Sequence, residues 1–316
     1  MVTEESRELP VTGVAAGLRL DRFLAVELAV SREQARRLLE DGRVYLNDRP
    51  VGATHKGEAL AAGEVVTVRG FRPPGEARAA AQPERPLRVL AEGAGWVAVD
   101  KPAGVAVHPL REDECDTALN AVVARYPAIH GVGEGGLRSG VAHRLDVETS
   151  GVLLFATEQA TWERLRALFA RHKMAKTYRA IVLGELTRSG SIELALRVAR
   201  SARPARVEVV GEGPASGTRA CGLSWRPVAP LRGATLVEAR PVTGFLHQVR
   251  VTFAHLGHPL AGDRVYGPGP GEDPTGAARH MLHAVRLAWD DVVVESPDPG
   301  DFAELLARLA PEAGGG

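Results

Sequence analysis

The chain has 316 residues, 45% of them apolar and 25% charged, and its 39 basic and 39 acidic side chains give a formal net charge of zero. That length supports one large core plus a smaller domain, and neutrality argues against a uniformly basic nucleic-acid binder. No run approaches the roughly 18 consecutive apolar residues of a membrane span, the start MVTEESRELP is acidic and polar rather than an export signal, and Cys115 and Cys221 lack a CxxC pairing, which argues against a disulfide framework or a cysteine metal site.

The expectation is a soluble, cytoplasmic, two-domain protein. Its charge is unevenly spread: Arg171 to Arg206 holds nine bases against two acids, and Asp290 to Gly316 holds seven acids against Arg308. A basic middle and an acidic end suggest a one-sided field able to attract a polyanion, with solvated helix and strand faces as the plainer reading.

Residues 1–17 read as an N-terminal extension. From 18 to 69 a compact unit is expected. Leu20, Phe23, Leu24 and Leu28 recur at helical spacing. Ser31 and Gln34 form a capping box for a second helix, with Ala35, Leu38 and Leu39 as its stripe and Gly42 as its stop. RVYLND and EVVTVRG read as strands. Arg32, Arg36, Arg37, Arg43, Arg49 and Lys56 fall on the second helix and the hairpin after it, where they could line a phosphate-binding side, although Glu33, Glu40, Asp41 and Asp48 interleave.

Residues 70–86 contain four prolines and almost no large apolar side chain, the composition of a linker. From 87 to 310 strands and helices alternate without an internal repeat. Trp96 to Val99 and Val105 to Val107 flank a turn holding Lys101, Pro102 and Gly104. GVLLFAT, TYRAIVLGEL and ATLVEARPV read as further strands, and helices are expected over 117–124, 158–171 and 246–256. The fold expected is α+β: a small N-terminal α/β unit, a proline-rich linker, and a larger domain whose mixed, mainly antiparallel sheet is flanked by helices.

Three runs could carry chemistry. In VAHRLDVETSGVLLFA, Asp146 precedes a Thr-Ser-Gly turn and a buried strand, a place where a scaffold holds a side chain at a cleft. An ionised carboxylate near apolar walls needs a cation; an Asp that merely caps its own loop is the other reading. In TGFLHQVRVTFAHLGHPLAGDRVYG, Leu246, Val249, Phe253 and Leu256 make a helical apolar face, and Arg250 is a candidate partner for the acid because guanidinium grips carboxylates in a fixed fork. His247, His255, His258, His280 and His283 lack HExxH spacing, so no metal site is expected. In HKMAKTYRAIVLGEL, Tyr178 lies within a strand, as a packing residue or, beside a carboxylate cleft, as a ring that stacks on a flat substrate and a hydroxyl that exchanges a proton.

HRLDVETSG, KTYRA and TGFLHQVRV…GHPLAGDRVYG, in that order, resemble the signatures of the RluA/RluD family of RNA pseudouridine synthases, and VAVDKPAGVAVHP resembles the start of their catalytic domain. Residues 18–69 resemble the small RNA-binding domain named for ribosomal protein S-four. The resemblance covers about 18 to 290. It implies isomerisation of uridine to pseudouridine without cofactor or metal, in structured RNA, with ribosomal RNA favoured over transfer RNA; a monomer is expected because nothing in the sequence resembles a coiled coil or a dedicated dimer helix. It implies Asp146 as nucleophile, Arg250 as its salt-bridge partner, Tyr178 against the target base, and Arg144 in the gap left by the flipped nucleotide. RNA contacts are expected from Arg144, Arg32, Arg36, Arg37, Arg43 and Lys176. Phe245 and Thr252 stand where relatives commonly carry Arg and His. Competing readings are a non-catalytic RNA-binding protein and a hydrolase pairing Asp146 with Glu148; alternate strand residues point to opposite faces, which counts against the second.

Overall fold

The computed structural model describes residues 6–71, 76–199, 205–213, 215–269 and 271–311. Arg200 and Arg203 of the basic stretch, Glu312 of the acidic end and residues 72–75 of the proline-rich segment lie outside the described residues. The chain divides into two compact units, residues 1–78 and 79–316.

In the first unit, β1 (Ser6–Pro10) is followed by α1 (Leu20–Glu27), α2 (Arg32–Glu40), β2 (Val44–Leu46), β3 (Arg49–Val51) and β4 (Val65–Arg69), and the sheet order is β1-β4-β2-β3. Leu20, Phe23 and Leu24 of α1 and Ala35 and Leu39 of α2 pack on Val44, Val66 and Val68, so the helical stripes and the inward strand positions share one core. The capping box forms at Ser31: the Gln34 N–H donates to Ser31 Oγ and the Ser31 N–H to Gln34 Oε1. Gly42, at φ +68°, ends α2 in the left-handed conformation that a Cβ disfavours. The sequence reads residues 1–17 as an extension, whereas β1 pairs antiparallel with β4 along its whole length and Leu9 and Val11 enter the core. A strand with one buried apolar residue and a proline carries too little alternation to be recognised alone.

The second unit runs β5 (Val89–Gly93), β6 (Trp96–Lys101), α3 (Ala118–Arg125), β7 (Ser150–Ala156), α4 (Gln159–Ala170), β8 (Ala175–Leu183), β9 (Gly190–Val198), β10 (Val207–Glu212), β11 (Arg219–Leu231), β12 (Ala234–Pro241), α5 (Gln248–His255), β13 (Leu282–Trp289), β14 (Val292–Glu295) and α6 (Gly300–Leu309). One sheet is ordered β10-β9-β11-β12-β8-β13-β7-β6-β5, with β14 on β13; β13 and β7 are parallel and the other pairs antiparallel. Every residue of β7 is buried because both its faces are covered. Leu153 and Phe155 pack with Leu119, Val122 and Val123 of α3, and Val152 and Leu154 pack with Leu165 of α4. A strand covered on both sides reads as an unbroken apolar run, as GVLLFA does.

Two expectations are corrected. Residues 79–86 are not free linker: Ala79 is buried among Val97, Val99 and Leu119, Asn120 Nδ2 donates to the Ala80 carbonyl at 2.7 Å, and Arg85 pairs with Asp116 at 2.8 Å. Proline excludes such a segment from helix and ladder without excluding it from packing. Val105 to Val107 form no strand, because their carbonyls serve elsewhere: Ala106 and Val107 accept from Ala118 and Leu119 at the start of α3, and Val105 accepts from Lys101. The acidic end folds onto the unit through Phe302, Leu305 and Leu309 of α6, and Asp290, Glu295, Asp298 and Asp301 each pair with an arginine.

Candidate active site

The loop from Val141 runs back along β7. Val141 bridges Phe155, the Ala142 N–H donates to the Leu154 carbonyl at 3.3 Å, and the Leu154 N–H donates to His143 Nε2 at 3.1 Å. That last bond fixes His143 as an acceptor, and burial pushes its pKa down to about 3, so the ring is neutral. Leu145 turns inward while Arg144 is exposed and Asp146 half-buried. The Asp146 carbonyl accepts the Thr149 N–H at 3.0 Å, which closes the turn into β7 and leaves the carboxylate free for another partner.

That partner is Arg250. Its Nη1 donates to Asp146 Oδ2 at 3.2 Å, and the two side chains are 6% and 22% exposed. The rest of the guanidinium is held by Asp263, with Nε to Oδ2 at 2.7 Å and Nη2 to Oδ1 at 2.8 Å. Asp263 is fully buried, and burial opposes its ionisation; the Arg250 fork and the N–H groups of Val265 and Tyr266 outweigh this and hold the carboxyl below the usual range. The cation that faces Asp146 is thus itself locked in place. It sits on α5, which begins at Gln248 rather than at 246, since His247 adopts φ +51°. Gln248 pins the loop before it by accepting from Thr243 Oγ1 at 2.7 Å and from the Phe245 N–H at 3.2 Å. Val249 and Phe253 face one cluster and Leu246, expected on the same face, packs in another. Thr252 is buried and its hydroxyl has no partner among the described residues.

Tyr178 lies on β8 between β12 and β13, and with Arg144, Asp146, His247 and Arg250 it lines a small cavity. Burial and the charge of Asp146 push its phenol pKa up, so the hydroxyl stays protonated. The cavity adjoins a cleft of about 940 Å³, whose walls include Leu110, Val147, Phe245 and Arg264 and which shares Arg144, Asp146, His247 and Arg250 with it. Leu110 and Val147 are 59% and 48% exposed, apolar surface at the entrance to a polar centre. The fold therefore gathers Asp146, Tyr178, Arg250 and Arg144, residues spread over more than 100 positions of sequence.

The remaining expected RNA contacts are Lys176 and four arginines of the first unit. Lys176 donates to the Thr243 carbonyl at 2.5 Å and supports the loop before α5. In the first unit Arg32 is exposed, Arg36 pairs with buried Asp21 at 3.4 Å, Arg37 is half-buried and Arg43 donates to the Gly70 carbonyl.

Sequence reasoning missed several supports. Lys101 is fully buried and donates to the carbonyls of Pro102, Val105 and Val147 at 2.7 to 2.9 Å, tying the end of β6 to the residue after Asp146. Burial pulls its pKa down to about 7, against the charges of Glu148 and Asp146, which favour the ammonium form. A lysine after the apolar run WVAVD was the signal available. Arg279 donates to the Glu148 carbonyl at 2.9 Å and forks onto Asp301 of α6. His280 bonds Thr149 Oγ1 and His283 bonds Ser150 Oγ, so both rings are structural. His108, buried in the cleft wall, has neither ring nitrogen bonded among the described residues, and burial with the charge of Arg144 lowers its pKa to about 4. Among the described residues no three His, Cys, Asp or Glu groups converge as metal ligands.

Comparison with known proteins identifies the family. A sequence profile described as RNA pseudouridylate synthase matches residues 95–255, half of the chain, and one described as S4 domain matches 18–55. An uncharacterized RNA pseudouridine synthase of Chloroflexus aurantiacus is 32% identical, covering 99% of this chain and 96% of its own. A protein of Xylella fastidiosa named ribosomal large subunit pseudouridine synthase D is 34% identical, covering 96% and 92%. The structure of human RNA pseudouridylate synthase domain containing 1 superposes with a TM-score of 0.56 at 25% identity, covering 72% of this chain and 89% of that one. With a matching profile over half its length and relatives aligned nearly end to end, the chain belongs to the RNA pseudouridine synthase family.

Proposed function

We propose that the protein isomerises uridine in large-subunit ribosomal RNA with Asp146 as nucleophile. One observation carries the mechanism: Asp146 is the carboxylate at the junction of cavity and cleft, ion-paired to an arginine that a second, fully buried acid immobilises. The names of relatives such as the Xylella fastidiosa protein support the substrate class.

A stacked, paired uridine hides its glycosidic bond, so the nucleotide must be flipped into the cavity, and Arg144, exposed at its rim, fills the vacated place. A lone pair of the Asp146 carboxylate forms a bond to C1′ as the N1–C1′ pair leaves with the uracil. The uracil turns, C5 bonds C1′ and displaces the carboxylate, the freed Asp146 carboxylate takes the C5 proton and passes it to solvent, and N1 takes one from solvent, so the proton count is unchanged. No water attacks C1′, so no second carboxylate is required, and Glu148 lines the cleft but not the cavity. Arg250 keeps Asp146 ionised and oriented. Tyr178 packs against the base and keeps its proton for donation. Arg32, Arg36, Arg37 and Arg43 of the first unit hold RNA phosphates.

Incubating the purified protein with an unmodified large-subunit ribosomal RNA transcript is expected to yield pseudouridine at defined positions, with Asp146→Asn abolishing product while RNA binding persists. An active Asp146→Asn enzyme would remove the nucleophile assignment, and product formed only in transfer RNA would replace the substrate.

A further inference from the structure

His247 lines the site and has no role in the isomerisation scheme. It lines both the cavity and the cleft, and its backbone holds φ +51° and ψ +17°, a left-handed conformation uncommon outside glycine. Such conformations persist where surrounding structure enforces them. Here the enforcement is visible: Tyr266 OH lies 3.0 Å from His247 Nδ1, and the two rings meet edge to face with centroids 5.7 Å apart.

The hydrogen bonds also select the tautomer. Tyr266 OH accepts the Val207 N–H at 2.7 Å. Its one proton then serves His247 Nδ1, which places the imidazole hydrogen on Nε2. In the opposite tautomer the phenol oxygen would receive two donors, and an Nε2 lone pair would face the Asp146 carboxylate. Nε2 lies 3.9 Å from Asp146 Oδ2, wider than a hydrogen bond. Both side chains line the cavity, so an N–H stands beside the nucleophile where a base entering the cavity can meet it.

We propose that His247 is a catalytic hydrogen-bond donor, its Nε2–H binding the uracil 2-carbonyl oxygen and stabilising the charge that gathers there as N1–C1′ breaks. O2 is attached next to N1, so an acceptor there comes close to Asp146 whenever C1′ does. The donated proton stays on His247, and the proton balance of the reaction is unchanged. A nitrogen that carries hydrogen cannot receive the C5 proton, so the group acts at bond cleavage and not at the final deprotonation. Donors placed where charge develops act on kcat rather than on uniform binding.

The inference rests on Asp146 being the nucleophile, and the test separates the two. Total RNA from cells lacking the gene serves as probe, since it contains the target whichever RNA carries it, and single-turnover rates are measured at saturating and subsaturating full-length enzyme. Asn tolerates the left-handed backbone but stops short of the Nε2 position, whereas Gln reaches it with an N–H. His247→Asn should lower the saturated rate on the order of 10²-fold, with half-saturation changed less than about threefold, and His247→Gln should regain about tenfold. A transcript spanning the mapped target, made with 5-fluorouridine, has no C5 proton to lose, and its consumption should slow by the same factor in His247→Asn. An unchanged saturated rate, a defect confined to half-saturation, or undiminished 5-fluorouridine consumption would each overturn the role of His247. An active Asp146→Asn enzyme would instead overturn the reading beneath it.

Discussion

At the residue scale, the site is a chain of charges in which each member depends on the next: Asp146 is faced by Arg250, and Arg250 is fixed by Asp263. Removing one partner of a buried pair leaves the other uncompensated, so Asp263→Asn should destabilise the second unit by about 3 kcal/mol and lower the catalytic rate as Arg250 loses its orientation. The pH dependence has a definite sign. The folded-state pKa of Asp263 lies below its ordinary 3.8, so its contribution is present above that pH and is lost as pH falls through the folded value. Urea unfolding of wild type and variant should therefore differ fully near neutrality and converge below about pH 3.8. Asp146, Tyr178 and Arg250 could be named from sequence because each stands in a distinctive run. Asp263 could not be given its role, since nothing local in AGDRV says that its carboxylate reaches a guanidinium 13 positions earlier.

At the element scale, the position of Asp146 is set by β7 and its parallel neighbour β13. Gly151 takes φ +113°, and a Cβ built there would stand 2.3 Å from the Ala284 carbonyl oxygen, with backbone that cannot yield. Gly151→Ala is expected to destabilise by about 2 kcal/mol or more and to depress activity through the adjoining Asp146 loop, measurable as a lowered urea midpoint together with a lowered kcat. Elements with strong period or caps, such as α1, α2 and β7, were legible in the sequence. Those fixed by their neighbours were not: β1 exists because β4 offers it a ladder, and Val105 to Val107 lose their strand because their carbonyls cap α3 and hold Lys101.

At the scale of the whole molecule, the chain consists of two units whose division falls at 78 and 79, inside the segment that composition marks as a linker. Deleting residues 1–78 should leave a folded second unit able to modify uridine with weakened RNA affinity, and the fall of log affinity with log salt should become shallower as phosphate contacts are lost. Deleting 1–86 should in addition lower stability, because it removes buried Ala79, the carbonyl that accepts from Asn120, and Arg85 on Asp116. Equal unfolding midpoints for the two truncations would contradict the packing of residues 79–86.

Composition, periodicity and capping signals were enough to determine an α+β chain, because helical and strand periods and capping chemistry are local properties, and the resemblance carried by three ordered motifs added the RNA-binding front end and the expectation that Asp146, Arg250 and Tyr178 belong to one site. Only the tertiary structure decided what holds that site: the Asp263 fork, the Lys101 tether, and the His247 and Tyr266 pair aimed at Asp146. Hydrogen bonds and ion pairs between residues far apart in sequence are set by where the strands and helices meet, and no local pattern records that meeting.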